Sequence, residues 1–124
     1  CTSVIAQARL GTFSDQQLED VPEARRRRWF TASAAGHATA VPEIRTPISF
    51  AHLNLIAPWP MSGPFDLILC RNVMIYFDKP TVTKLVQRFH ELLVPGGHLF
   101  IGHSESLTAI AHRYRYVQPA VYAK

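Results

Sequence analysis

The sequence is poor in cysteine and has no long hydrophobic run. Cys1 and Cys70 are the two cysteines among 124 residues. That number is too small for a disulfide scaffold, and Cys70 lies in an apolar run where a free thiol behaves as a small hydrophobe. No apolar run approaches the roughly 18 residues that a membrane span needs. The first residues also lack the charged and apolar segments of a signal peptide. We therefore expect a cytoplasmic protein without stable membrane insertion.

Metal-ligand spacings and nucleic-acid signatures are also missing. The six histidines include no His-x-x-x-His pair, and the two cysteines are distant, so no zinc site is suggested. Much of the net charge of +4 comes from one run, Arg25–Arg28. Trp29 and Phe30 follow this run, but no further basic residues or interleaved aromatics join it. We therefore expect a solvated helix face and no nucleic-acid partner. Ser104 lies between His103 and Glu105, but the Gly-x-Ser-x-Gly turn of serine hydrolases is not formed.

The sequence does contain apolar residues in regular patterns, and 48% of its residues are hydrophobic. Apolar residues recur at helical spacing from Val82 to Leu93, which predicts a helix capped by Asp78. The segment 65–70 is nearly continuous in apolar residues and predicts a strand covered on both faces. We further predict helices at 2–10 and 22–29, an irregular or β-rich insertion, strands at 48–53 and 98–102, and a terminal pair of strands at 113–117 and 120–123.

The order strand, helix, strand predicts that the strands at 65–70 and 98–102 are parallel, followed by an antiparallel pair. In such sheets ligands collect beyond the carboxyl ends of the strands. Three places qualify, namely Asn54-Leu55, Arg71-Asn72 and the segment 102–105. An asparagine side chain offers both a donor and an acceptor to a cofactor, but it can equally close a turn. The residues alone leave both interpretations open.

One stretch of the sequence is more specific. The segment 65–78, FDLILCRNVMIYFD, is followed by RFHELL at 88–93, PGG at 95–97 and LFIGHSES at 99–106. This series resembles the signature of the chemotaxis-receptor glutamate O-methyltransferases, the CheR family. The resemblance extends back to Leu53-Asn54-Leu55 and, more weakly, to segments near 8–11 and 18–22. It thus covers nearly the whole chain.

The resemblance implies an α/β fold, a Rossmann-like class I methyltransferase sheet that is mostly parallel with an antiparallel C-terminal strand pair. It also implies S-adenosylmethionine as the cofactor and methyl transfer to glutamates of chemotaxis receptors, forming γ-methyl esters. The residues that match the family's cofactor-binding positions are Asn54, Leu55, Arg71 and Asn72. Tyr76 matches a tyrosine near the transferred methyl group, and the alternative for Tyr76 is a core residue with its hydroxyl at the surface.

Departures from the family pattern set further expectations. The glycine-containing turn and the acidic residue that begin the family's cofactor site are not found here, so we expect the C-terminal part of a longer enzyme. This part alone should bind the cofactor weakly. We divide the chain into helical segments at 1–30, a small β-subdomain insertion at 31–47 and the second half of the sheet at 48–124. In some members of the family, a segment of the β-subdomain with glycine and arginine binds a peptide at the receptor's C-terminus. The corresponding residues 31–40 contain one glycine and no arginine, so we expect no dependence on that peptide.

Two other functions are compatible with the sequence. The predicted cofactor-binding residues do not specify the acceptor, so the enzyme could methylate another protein or a small molecule. The chain could also be a non-catalytic interaction module derived from the family.

Overall fold

The computed structural model describes residues 2–124 and shows two compact units that meet in sequence between Leu53 and Asn54. Short 3-10 turns span Gln16–Leu18 and Met74–Tyr76. The helices are α1 (Thr2–Leu10), α2 (Glu23–Trp29), α3 (Pro42–Arg45) and α4 (Lys79–Leu92). The strands are β1 (Thr12–Ser14), β2 (Phe30–Ala34), β3 (His37–Ala40), β4 (Phe65–Cys70), β5 (Leu93–Ile101), β6 (Arg115–Gln118) and β7 (Val121–Ala123).

The N-terminal unit contains a three-stranded antiparallel sheet in the order β1-β3-β2. The predicted helices at 2–10 and 22–29 are confirmed, and α1 is followed by Gly11 with a φ of 63°. This left-handed conformation is one that glycine adopts without strain. Strand structure is not confined to the predicted insertion, because β1 lies within the range predicted as helical and pairs with β3.

The strand predicted at 48–53 is wrong. This segment has no regular structure, and the Ile48 and Phe50 side chains are exposed. A strand needs a neighbouring strand for its backbone groups, whereas the carbonyl oxygen of Phe50 accepts a hydrogen bond of 2.9 Å from the Arg9 guanidinium. The alternation of apolar residues therefore did not indicate a sheet here.

The C-terminal unit contains a four-stranded sheet in the order β4-β5-β7-β6. The β4 and β5 strands are parallel and are connected by α4, whereas β7 pairs antiparallel with both β5 and β6. The mixed α/β sheet with an antiparallel C-terminal pair is thus confirmed. Asp78 caps α4 by accepting a hydrogen bond of 3.0 Å from the Thr81 amide. Hydrogen bonding by the Thr81 side chain, together with this amide, lowers the pKa of the Asp78 carboxyl.

Residues 94–97, which precede the strand predicted at 98–102, lie inside β5 as an irregularity of the strand. Phe65 pairs with Leu93, whereas Leu67 pairs with His98, so β5 gains extra residues between these two pairs. The core of this unit packs one face of α4 against the sheet. Its largest fully buried side chains are Val86, Leu93, Leu99, Ile101 and Leu107.

Candidate functional site

The carboxyl ends of β4 and β5 lie side by side, because Cys70 pairs with Ile101 in the parallel ladder. The loop that begins with Arg71 and Asn72 therefore adjoins the loop that begins with Gly102. This is the edge of a parallel pair at which ligands bind in open α/β sheets. Arg71 and Asn72 are both exposed, so their side chains are available to a ligand.

The carboxylate of Glu105 joins these two loops. Its Oε2 atom accepts hydrogen bonds from the backbone amides of Asn72 at 3.0 Å and Gly102 at 2.6 Å. Its Oε1 atom accepts from the amides of Val73 at 3.1 Å, Met74 at 2.9 Å and Ile75 at 3.3 Å. A single side chain from the loop after β5 thus satisfies four consecutive amides of the loop after β4.

The local conformation of the β4 loop explains this convergence. Asn72 has a φ of 57°, in the left-handed region that asparagine tolerates better than most residues. Successive amides that turn towards one point form a nest that attracts an anion, and the Glu105 carboxylate fills it. The buried Met74 side chain fixes the other end of the turn in the core. The loop is therefore held both by charge and by packing.

Gly102 lies where the two loops approach most closely. A Cβ atom added to Gly102 would stand 2.3 Å from Asn72 Oδ1, 2.7 Å from Glu105 Oε2 and 2.9 Å from the Asn72 amide nitrogen. These distances are far below van der Waals contact, so only glycine fits at this position.

Tyr76 ends the 3-10 turn that overlaps the nest, and this residue is 79% exposed. The alternative that Tyr76 is a core residue is therefore wrong. The Glu105 carboxylate binds the amides of Met74 and Ile75, the first two residues of this turn, so Tyr76 lies on the same anchored loop as Asn72.

Asn54 and Leu55 do not follow a strand, contrary to the sequence prediction, because 48–53 is irregular. The Oδ1 atom of Asn54 accepts a hydrogen bond of 3.0 Å from the Ile56 amide, which is the turn-closing geometry of an Asx turn. The Asn54 side chain therefore closes a turn, which was the alternative to a cofactor contact. Its Nδ2 atom and its exposed position are compatible with a ligand contact as well.

Arg88 of α4 holds the segment that follows Asn54. Its guanidinium donates hydrogen bonds to the carbonyl oxygens of Leu55 at 3.1 Å and Ala57 at 2.9 Å. The guanidinium carbon also lies 3.8 Å from the centroid of the Trp59 ring, a cation-π contact. Trp59 in turn stacks on Phe89 and donates to the Leu55 carbonyl. Both predicted binding segments of this unit are therefore anchored by a charged side chain.

Replacing Arg88 by alanine is expected to destabilise the C-terminal unit by about 2 kcal/mol, since two charge-assisted hydrogen bonds and a cation-π contact are lost. Lysine should restore little, because an ammonium lacks the planar fork that reaches both carbonyls. Denaturation followed by Trp59 fluorescence measures the change. The matched control is Lys84→Ala, an exposed cation one turn earlier on α4. Equal stability of Arg88→Ala and Lys84→Ala would contradict the anchoring role.

Cys70 is the buried last residue of β4, directly before the anchored loop. Burial raises the pKa of its thiol to about 11, and the negative charge of Glu105 adds to this shift. A raised thiol pKa means that the neutral form predominates at pH 8, and the neutral thiol is a poor nucleophile.

We expect Cys70 to react slowly with iodoacetamide at pH 8 in the folded chain, with the rate rising towards pH 11. In denaturant the thiol regains its ordinary pKa, so the reaction at pH 8 should become at least tenfold faster, a rough figure that includes the gain in access. Peptide mass spectrometry reports the Cys70 peptide separately from Cys1. A folded-state rate as high as the denatured one would show that the thiol is neither buried nor neutral.

The roles of Glu105 and Arg88 do not follow from the sequence pattern. Glu105 acts across 30 to 33 residues, and Arg88 acts across 31 to 33 residues, which local spacing does not show. The available signal was the position of Glu105 in a segment that follows a strand end.

Among residues 2–124, no group of three or more His, Cys, Asp or Glu side chains could hold a metal ion. Within the same residues, no helix is long and apolar enough to cross a membrane.

The fold and the anchored loops define a candidate ligand-binding edge of an α/β sheet. Comparison with known proteins gives the family. The model of the CheR methyltransferase SAM-binding domain matches residues 2–123, and the chain belongs to this family. This confirms the predicted family and S-adenosylmethionine as the cofactor.

Curated relatives carry matching names. The chain is 43% identical to chemotaxis protein methyltransferase 2 of Pseudomonas aeruginosa and 38% identical to the chemotaxis protein methyltransferase of Escherichia coli, over 98% of the chain in both cases. It is 43% identical, over 87% of the chain, to a probable chemotaxis protein methyltransferase of Rhizobium etli. The chain spans 45%, 44% and 41% of these three relatives, less than half of each.

The residues at the edge of the sheet fit this cofactor by the chemistry of their donor set. The exposed amide side chain of Asn72 offers a donor and an acceptor for an adenine edge or a polar tail. The crowding at Gly102 also keeps the backbones of the two loops close together.

Proposed function

We propose that this chain is part of an enzyme that transfers the methyl group of S-adenosylmethionine to glutamate side chains of chemotaxis receptors, forming γ-methyl esters. The observation that carries this proposal is the pair of adjoining loops after β4 and β5, which belongs to a chain of the CheR methyltransferase family. The names of the relatives as chemotaxis protein methyltransferases support a role in chemotaxis.

We assign the cofactor contacts to Arg71 and Asn72 from the β4 loop, and to Asn54 and Leu55 from the other anchored segment. Tyr76 is assigned to the reacting end of the cofactor, since it is exposed on the loop that carries Asn72. When bound, S-adenosylmethionine supplies a methyl group that its sulfonium charge has already activated. The chain's own residues therefore need to hold and orient it, and to exclude water around the acceptor.

A glutamate acceptor suits this set of residues. Its carboxyl has a pKa of about 4.3, so at pH 7 it is already an anionic nucleophile and needs no general base. The five assigned residues include no histidine and no carboxylate that would act as such a base. An acceptor such as an alcohol or an amine would require a base in addition.

The receptor defines the expected partner and compartment. We propose that the enzyme acts in the cytoplasm on methyl-accepting chemotaxis receptors. The β2–β3 hairpin contains Gly36 but no arginine between residues 31 and 40. We therefore expect calorimetry to show no micromolar binding of a receptor C-terminal peptide, and such binding would overturn this prediction.

The activity is tested with the natural full-length protein that carries this chain, radiolabelled S-adenosylmethionine and receptor-containing membranes. Base-labile label released as methanol supports glutamate methylation. Label that appears in another protein or in a small molecule would show that the methyl acceptor is not a receptor glutamate. Absence of both cofactor binding and label would favour the non-catalytic interaction module.

Substitution of Asn72 tests the site itself. Asn72→Gly removes the side-chain amide and keeps the left-handed backbone conformation, whereas Asn72→Ala removes it and strains the backbone. Both variants are expected to weaken cofactor binding about tenfold, the effect of losing one or two hydrogen bonds. Wild-type affinity of Asn72→Gly would exclude a cofactor contact by this side chain.

A further inference from the structure

We propose that Glu105 is a positioning residue for methyl transfer, because its carboxylate sets the backbone of the loop that presents Asn72 and Tyr76. This inference rests on the proposed function. It concerns a residue that touches backbone amides in the structure and is not assigned to contact the cofactor.

The number of hydrogen bonds distinguishes Glu105 from an ordinary capping side chain. Five backbone amides donate to its two oxygens, at distances from 2.6 to 3.3 Å. An N-capping side chain commonly satisfies one or two amides of a helix. Here the acceptor is charged, and hydrogen bonds to a charged acceptor are about twice as strong as neutral ones.

The place of the amides on the chain links them to the assigned site. They begin at Asn72, which has a left-handed backbone, and continue through Ile75, the residue before Tyr76. If the carboxylate were lost, the four adjacent backbone amides would have to donate their hydrogen bonds to water. The loop would then be free to take other conformations. Asn72 and Tyr76 would then lose their fixed positions together.

The fifth amide ties this loop to β5. The Gly102 amide donates a hydrogen bond to Glu105 Oε2, and the Glu105 amide donates one of 3.0 Å to the Gly102 carbonyl oxygen. The glutamate is thereby held by its own backbone directly after the strand end. The nest is formed by one strand end and filled from the neighbouring one, so its geometry follows the parallel pairing of β4 and β5.

Alignment of reacting atoms is sensitive to small displacements, and a shift of about 1 Å can cost about a hundredfold in rate. We therefore expect Glu105→Ala to lower kcat by about tenfold to a hundredfold and to raise the dissociation constant of S-adenosylmethionine about tenfold. Glu105→Gln keeps the shape but presents an NH2 group to amide donors. It should show a smaller loss in the same direction.

The experiment uses the natural full-length protein, with kcat, KM and cofactor affinity measured well below the melting temperature of each variant. Glu91→Gln is the matched control, since Glu91 is exposed on α4 and accepts only a long bond from Gln87. NMR shifts of the 72–75 amides add a local readout, and they should move in Glu105→Gln but not in Glu91→Gln. If Glu105→Ala does not fold, Glu105→Gln and Glu105→Asp provide the comparison.

The proposal is overturned if folded Glu105 variants keep kcat and cofactor affinity within twofold of the wild type, even with a lowered melting temperature. That result would make Glu105 a purely structural residue. Failure of the proposed function is seen separately, because the wild type would then form no methyl ester. If the wild type binds the cofactor and forms methyl ester while the Glu105 variants do not, the result supports both the proposed function and the positioning role of Glu105.

Discussion

Replacing Gly102 by alanine is expected to abolish tight binding of S-adenosylmethionine and to destabilise the C-terminal unit by about 1–3 kcal/mol, the usual cost of forcing extra atoms into a packed site. The added Cβ would meet the Asn72 amide nitrogen and side chain as well as the Glu105 carboxylate. One of these contacts is to backbone, which cannot rotate away as a flexible side chain can. The β4 loop must therefore move, and Asn72 with it. Calorimetric titration of the full-length protein with the cofactor measures the loss.

Gly96→Ala is the matched control for Gly102→Ala. Gly96 has a φ of 79°, but an added Cβ would meet nothing within 4 Å. This substitution should cost about 1–2 kcal/mol through backbone strain and leave cofactor affinity unchanged. If Gly102→Ala bound the cofactor as tightly as Gly96→Ala does, the two loops would not be as closely packed as described.

Truncation of Leu99 to alanine is expected to have the largest effect on stability, a loss of about 2–5 kcal/mol. Leu99 is 0% exposed and stands in the middle of β5, paired with Ile68 on one side and Tyr122 on the other. Domains of this size are typically stable by about 5–15 kcal/mol. The substitution therefore removes a large share of the free energy of unfolding, and partial unfolding at 37 °C is the expected phenotype.

The two tryptophans allow this unfolding to be followed in one unit. Trp59 stacks on Phe89 within the C-terminal unit, whereas Trp29 belongs to α2. In a Trp29→Phe background, denaturant titration of Trp59 fluorescence reports the C-terminal unit alone. Leu69→Ala is the control, because Leu69 lies in the neighbouring strand and is 62% exposed. Its cost should stay below about 1 kcal/mol, and a cost equal to that of Leu99→Ala would contradict the assigned core.

Much of the C-terminal unit could be predicted from the sequence because its signals are local. The helical spacing that includes Val82, Leu85 and Phe89 predicts α4 and its buried face, and the structure confirms both. The apolar run of β4 correctly predicts a strand, but the expected cover on both faces is wrong, because Leu67 and Leu69 are exposed. By contrast, β1 has only three residues and depends on pairing with β3, about 25 residues later. Local patterns did not predict the pairing of β1 with β3. For the same reason, the alternation of apolar residues at 48–53 predicted a strand although no partner strand is there.

The position of the candidate site could be predicted from the sequence, but the side chains that anchor its loops could not. The carboxyl ends of the strands indicated Arg71 and Asn72, and the family resemblance indicated Tyr76. Glu105 and Arg88 escaped prediction because each acts on backbone groups about 30 residues away along the chain. A charged residue on a loop or on a helix carries no local pattern for such a contact. Only the folded chain shows which amides or carbonyls it reaches.

The shared acceptor at Glu105 has a consequence for how the β4 loop exchanges its amide protons with solvent. Exchange requires that a hydrogen bond open, and the amides of Asn72 through Ile75 all bind the same carboxylate. The four protons should then be released in one event, when Glu105 leaves the nest. A surface loop without strand pairing would thus show the slow, concerted deuterium uptake of a sheet, and the rate of that single opening would limit every rearrangement of the loop.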